Sequence, residues 1–183
     1  MKKNQPKNKT KISRINSTIN IYPVTMIEGG LQLPVYEQIE ASKEKDAFSK
    51  NRSQSCVFVF PDGSYGSTGF KRFIEKDEFD NYKFKDKVSI KGKSYPSLNA
   101  YLDPNNIDST LENIKQLSCK FYDYIKREIS HSTKQRSGNS FCYLELVEGS
   151  GVVLLSLILE RLGFENFKSN DATIVNSRTK RIR

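Results

Sequence analysis

The stretch that most constrains this chain is 152–162, where eight of eleven residues are apolar and which Gly163 closes. A membrane span needs about 20 such residues, so the stretch belongs inside a folded core. As a helix it is apolar on nearly every side, and such a helix must be buried on more than one face. The elements that could cover it stand just upstream. Phe141-Cys142-Tyr143-Leu144-Glu145-Leu146-Val147 reads as a strand, and Gly149-Ser150-Gly151 bends the chain from it into the buried helix. Before that strand, Leu111, Ile114, Leu117, Phe121, Ile125 and Ile129 recur at three- and four-residue steps. They predict one amphipathic helix of about five turns. Ser109-Thr110-Leu111-Glu112 is a capping box at its start, with hydroxyl and carboxylate taking up main-chain donors that a helix start leaves unpaired. The polar stretch 130–139 ends it. Helix, strand, glycine turn and buried helix make this end of the chain α/β.

Residues 18–108 are less regular and read as an α+β region. Apolar residues alternate over 19–26, predicting a short strand that ends near Pro23. Gly29-Gly30 breaks the chain, and Pro34 suits the first turn of a helix over roughly 34–49, with Tyr36, Ile39 and Ala47 or Phe48 on its apolar side. Cys56-Val57-Phe58-Val59-Phe60 reads as a strand closed by the turn Pro61-Asp62-Gly63. Gly63, Gly66 and Gly69 then bend the chain into a short helix over 70–79. Residues 84–95 suggest a hairpin turning at Gly92, and Asp103-Pro104-Asn105-Asn106 is a further turn.

Hydrophobic residues make up only 36% of the 183, and the formal net charge is +9. The charge sits at the ends. Residues 1–17 hold Lys2, Lys3, Lys7, Lys9, Lys11 and Arg14 without an acid, and 174–183 hold Arg178, Lys180, Arg181 and Arg183, again without one. Elsewhere the bases nearly match the acids. Both ends lack apolar periodicity and are expected to be disordered basic tails. Such tails attach to polyanions through counterion release, without sequence readout, or else remain solvated. The basic start with no apolar segment behind it argues against a signal peptide, and no apolar run is long enough for a membrane anchor. Cys56, Cys119 and Cys142 form no CxxC pair and have apolar neighbours. They are expected to be buried, reduced thiols of an intracellular protein. With His131 the only histidine, a zinc site or a histidine-dependent triad within the chain has too few ligands.

Three local motifs invite a catalytic reading and fail it. Gly92-Lys93-Ser94 matches the end of a phosphate-binding P-loop, but the required earlier glycine is Lys87, and the flanks with Pro96 offer no following helix. Asp77-Glu78-Phe79-Asp80 matches a DExD box but follows a short, half-charged stretch rather than a buried strand, and reads as a solvated helix end. Glu145-Leu146-Val147-Glu148-Gly149-Ser150-Gly151 is similar to the first motif of S-adenosylmethionine methyltransferases, with Val147 in place of the first glycine. Too few residues follow to complete that fold.

Taken in order, the segments from about 19 to 168 resemble viral superfamily 2 helicases of the type of the poxvirus early transcription factor large subunit and its giant-virus homologues. The run from Tyr22 through Met26, Gln32 and Tyr36 resembles a strand leaving the first RecA-like lobe and a helix with a Met…Gln…Tyr pattern, and the run Val57 to Gly66 resembles a "fVFPeGsyG" segment. Ser118-Cys119-Lys120-Phe121-Tyr122 and Ile125 resemble the helix that opens the second lobe. Tyr143 to Gly151 and Leu155 to Phe164 resemble that lobe's first strand and the helix behind it. Departures are Gly29-Gly30 and Pro34 within the first pattern, and Leu144-Glu145 where the family usually carries Ser and Asn or Asp.

The resemblance implies a partial RecA-like lobe over 109–173, preceded by an inter-lobe region over 18–108 and flanked by the tails 1–17 and 174–183. It implies a fragment or split-gene relative of a viral transcription helicase. ATP and magnesium belong to the complete family, whose Walker, DExD and arginine-finger motifs this chain lacks, so no cofactor is expected in this chain alone. Whether the chain is itself an enzyme stays open. Expected partners are nucleic acid and a chain supplying the missing lobe, with no membrane, in a virion or host cytoplasm. Candidate nucleic-acid contacts are the ten tail bases and Gly149, Ser150 and Gly151. Free N–H groups at the start of a helix favour an anion there, although Glu145 and Glu148 oppose it. Tight strand-to-helix packing is the plainer explanation of that turn. Two other functions fit the residues less closely: an assembly protein docking on another subunit, and a small methyltransferase.

Overall fold

The computed structural model describes residues 22–42, 48–132 and 140–165. They hold helices α1 (Gln32–Ala41), α2 (Phe48–Val57) and α3 (Gly66–Phe73), then strands β1 (Ile74–Lys76), β2 (Tyr82–Phe84), β3 (Val88–Ile90) and β4 (Lys93–Tyr95). Helices α4 (Leu98–Tyr101), α5 (Ile107–Leu117), α6 (Cys119–Ser132) and α7 (Val152–Arg161) complete the order. The strands form two separate antiparallel hairpins, β1–β2 and β3–β4. The fold is thus mixed helix and strand, with helices dominant.

The core is built around an extended segment rather than a sheet. Phe58, Val59 and Phe60 are fully buried. The ring of Phe58 meets Phe60 edge-on at 5.1 Å and Phe121 of α6 at 5.6 Å, while Phe60 stacks on Phe73 of α3 at 5.3 Å. Ile114 and Leu117 of α5, Ile125 of α6, and Leu154, Ile158 and Leu162 in and just after α7 close over these rings. Residues 152–162 are therefore buried on more than one face, as their composition requires, with Val152, Glu160 and Arg161 exposed. The β3–β4 hairpin also forms where expected. Lys91 and Gly92 both take positive φ, 51° and 78°, the geometry of a two-residue turn matched to strand twist.

Other expectations are corrected. Residues 141–147 are not a strand: they form no ladder, and Phe141, Tyr143 and Val147 are exposed. Alternation marks a strand only when a neighbour accepts its main-chain groups, and none is present among the described residues. Cys142 is consequently exposed, Cys56 half-buried, and only Cys119 buried. The long helix of 111–129 is two helices, because Ser118 adopts an extended conformation (φ −161°, ψ 108°) between α5 and α6. Helix α5 is capped by Asn106, whose side chain accepts from Ser109 N at 3.0 Å, rather than by Ser109 itself. Residues 56 and 57 finish α2, and only Val59 forms an isolated bridge, to Tyr65.

The helix expected over 34–49 is α1, which ends at Ala41; α2 begins at Phe48, and 43–47 lie outside the described residues. Residues 22–27 carry no strand, and 19–21 lie outside the described residues. The helix expected over 70–79 is α3, ending at Phe73. Beyond it, Asp77 accepts from the main-chain N–H of Phe79 (2.8 Å) and Asn81 (2.9 Å), an Asx-type turn that folds β1 back on β2.

Gly69 lies directly against the Phe60 ring: a Cβ there would stand 2.0 Å from a ring carbon. Since Phe60 is fully buried, Gly69→Ala is expected to destabilise the fold by about 1–3 kcal/mol through overpacking, read as a lower melting temperature. An unchanged melting temperature would contradict this packing.

Candidate functional site

The stretches that resemble helicase motifs converge on one junction, and two buried serines hold it. Ser118, leaving α5, donates its hydroxyl to the Val57 carbonyl and accepts from Phe121 N at 2.9 Å, so it caps α6 while gripping 57. Next to it, Val59 N donates to Leu117 O at 2.9 Å. On the other side Ser150 donates its hydroxyl to Phe58 O at 3.1 Å and accepts from Gly66 N at 3.1 Å. Both side chains are fully buried. Gln32 of α1 makes a third bridge, its amide donating to Ser55 O and its carbonyl accepting from Cys119 N, each at 2.9 Å.

The turn after Phe60 is fixed by charge. The Asp62 carboxylate accepts from Ser64 N at 3.0 Å and pairs with Arg72 of α3 at 2.7 Å, with the acid almost wholly buried. Glu148, next to the glycine turn, accepts from the Tyr82 hydroxyl of β2, and that bond pushes the Tyr82 phenol above its usual range. The acid of the "PeG" segment is thus structural.

Of the residues expected to meet nucleic acid, Gly149, Ser150 and Gly151 lie at this junction, and the ten tail bases lie outside the described residues. A Cβ on Gly149 would stand 3.0 Å from the Gly66 main chain, and one on Gly151 would stand 2.0 Å from Leu146 O. The first N–H groups of α7 are already used: Val152 N donates to Leu146 O and Val153 N to Val147 O, both at 2.9 Å. The turn's visible work is packing.

Among the described residues, neither motif-like stretch is set to hold ATP or magnesium. Gly92-Lys93-Ser94 lies on the β3–β4 turn with no helix start beside it, and Lys93 sits over the Tyr95 ring. Asp77-Glu78-Phe79-Asp80 lies in the β1–β2 loop rather than at a helix end, with one Asp77 oxygen holding that loop. Burial pushes the Cys119 thiol above its ordinary range. Among the described residues no helix is long and apolar enough to cross a membrane.

No family model matches the chain, and no solved structure matches it. Relatives occur among viral proteins. The chain is 33% identical over 147 residues to "Putative helicase 087L" of Invertebrate iridescent virus 3, covering 79% of this chain and 12% of that protein. It is 29% identical over 123 residues to "Putative ATP-dependent RNA helicase" of Heliothis virescens ascovirus 3e, covering 67% of this chain and 12% of that protein. The chain is similar to viral helicase-related proteins. It spans only 12% of the length of each of these relatives. In this helicase-related chain, a match of 147 residues necessarily takes in the middle of the sequence, where residues 57–60 and Ser118 meet.

The signal for Gln32 and Ser118 lay in the resemblance rather than in periodicity, since neither is apolar and neither breaks a helical spacing. Ser150→Ala leaves two buried main-chain groups, Phe58 O and Gly66 N, without their partner. The expected cost is about 2–4 kcal/mol, measured by urea denaturation. A midpoint equal to that of the native chain would contradict the bridge.

Proposed function

We propose that the chain corresponds to the middle of a viral superfamily 2 helicase of the early transcription factor type, joining the end of one RecA-like lobe to the start of the next. On this reading it binds nucleic acid in a virion or host cytoplasm and needs another chain to supply the ATP site. The match to viral helicase-related proteins over 79% of the chain carries the reading. The meeting of its motif-like stretches at one buried junction supports it, because segments far apart in sequence are then parts of one unit. The hairpin setting of Gly92-Lys93-Ser94 supports the absence of a nucleotide cradle, since a P-loop needs main-chain N–H groups converging at a helix start.

The purified chain is expected to show no magnesium-dependent ATPase activity, with or without nucleic acid. It is expected to bind labelled single- and double-stranded DNA with an affinity that falls as salt rises. Replacing the ten tail bases by serine is expected to remove most of that salt dependence. An ATPase rate that survives purification to homogeneity would overturn the reading.

One observation favours a second reading, a non-catalytic assembly protein. Phe141, Tyr143 and Val147 are 89%, 77% and 69% exposed, and the main chain of 141–145 makes no hydrogen bond with the described residues. An extended segment of this kind pairs readily with a strand from another chain. Sedimentation that is independent of concentration, in the native chain and in Tyr143→Ser alike, would count against self-association through it.

A further inference from the structure

Between α2 and the start of α3 lies an open groove of about 510 Å³, lined by Lys50, Asn51, Gln54, Tyr65, Ser67 and Thr68 among others. Its floor holds a polar side chain that no protein group engages among the described residues. Gln54 is only 8% exposed, and its carboxamide makes no hydrogen bond with the described residues. The amide oxygen presses on Gly66, where a Cβ would stand 1.7 Å from it. With no partner among those residues, the carboxamide is available to donate to a ligand that enters the groove.

The groove wall supplies further donors. In α3 the first N–H, of Gly66, is taken by Ser150, and the fourth, of Gly69, by the Tyr65 carbonyl. The second and third, of Ser67 and Thr68, have no side-chain cap. Together with the Ser67 and Thr68 hydroxyls they face a helix end whose dipole favours negative charge.

The surrounding charge has the same sign. Helices α2 and α3 contain Lys50, Arg52, Lys71 and Arg72 and no acid. Arg52 is engaged with Glu40 of α1. Asp62, the acid on the connecting turn, is engaged by Arg72, and Glu148 beyond Gly66 by Tyr82. Among the described residues, Lys50 faces the groove with no opposing carboxylate on either wall.

We propose that this groove binds a phosphate group, with oxygens on the Ser67 and Thr68 N–H and hydroxyl groups, Lys50 as counter-charge, and the Gln54 amide donating from the floor. The site lies in the body of the chain, apart from the basic tails and the glycine turn. It rests on the nucleic-acid reading only for the source of the phosphate, a phosphodiester strand or the free ion.

The test is ¹⁵N–¹H spectroscopy of the full chain, titrated separately with inorganic phosphate and with a short single-stranded oligothymidylate at low salt. Saturable shifts of the Ser67 and Thr68 amides and the Gln54 side-chain amide are expected with at least one probe. Ser67→Asp places a carboxylate that supports the helix start but repels an anion, and is expected to weaken binding about fivefold or more. Lys50→Ala, at an exposed position, gives the same test without touching α3.

Shifts with the oligonucleotide alone assign the phosphate to nucleic acid, and shifts with phosphate as well admit the free ion; both support the site. Resonances that move with neither probe would overturn it, as would native affinity in both folded variants. Oligonucleotide binding that moves only other resonances overturns the site and leaves the nucleic-acid reading standing. Phosphate shifts without any oligonucleotide binding do the reverse.

Discussion

Two serine hydroxyls, buried far from water, grip adjacent carbonyls of one extended segment from opposite sides. Ser118 holds Val57 O, and Ser150 holds Phe58 O. An extended segment without a sheet leaves main-chain groups unpaired, and burying them unpaired is costly. Here the partners come from 61 and 92 residues away in sequence. The same contacts that satisfy the segment therefore also fix where α6 and α7 dock. Remove either hydroxyl, and both the polar balance of the core and the placement of a helix are disturbed.

With the main chain of 57–60 held, its side chains set the rest of the core. Phe58 and Phe60 point into rings from α3 and α6, and Gly69 exists as the space that Phe60 fills. The Asp62–Arg72 pair then anchors α3 to the turn. The start of α3 lies between the glycine turn on one side and Gln54 on the other. The groove beside it is thus a consequence of the junction. An N-terminus held this rigidly keeps its uncapped N–H groups in fixed positions, a preorganisation that reduces the cost of binding an anion.

Much of this was legible from sequence where the signal is local. The burial of 152–162 follows from its composition, and the β3–β4 turn follows from Gly92, which takes positive φ freely, whereas nothing about Lys91 announced the same conformation. Non-local signals misled. Residues 141–147 alternate as a strand does, yet a strand is made by a partner, and alternation cannot reveal whether one is there. Ser118 breaks a helix without breaking its spacing, because Leu117 and Phe121 still lie four residues apart on either side. Asn106 takes the capping role that the Ser109–Glu112 pattern suggested for Ser109, since its side chain already reaches the Ser109 N–H. Gln54 left no trace at all: its meaning lies in what surrounds it in space.

The central claim is that residues 57–60, α6 and α7 form one cooperative unit held by the serine bridges. Amide hydrogen exchange tests it most directly. The amides of Val59 and Gly66, which donate to Leu117 O and Ser150 Oγ, should exchange through the same opening as those of Leu155 and Ile158 in α7. They should share one free energy and one dependence on denaturant. Exchange of the α7 amides through a separate, lower-energy opening, with Val59 still protected, would contradict it.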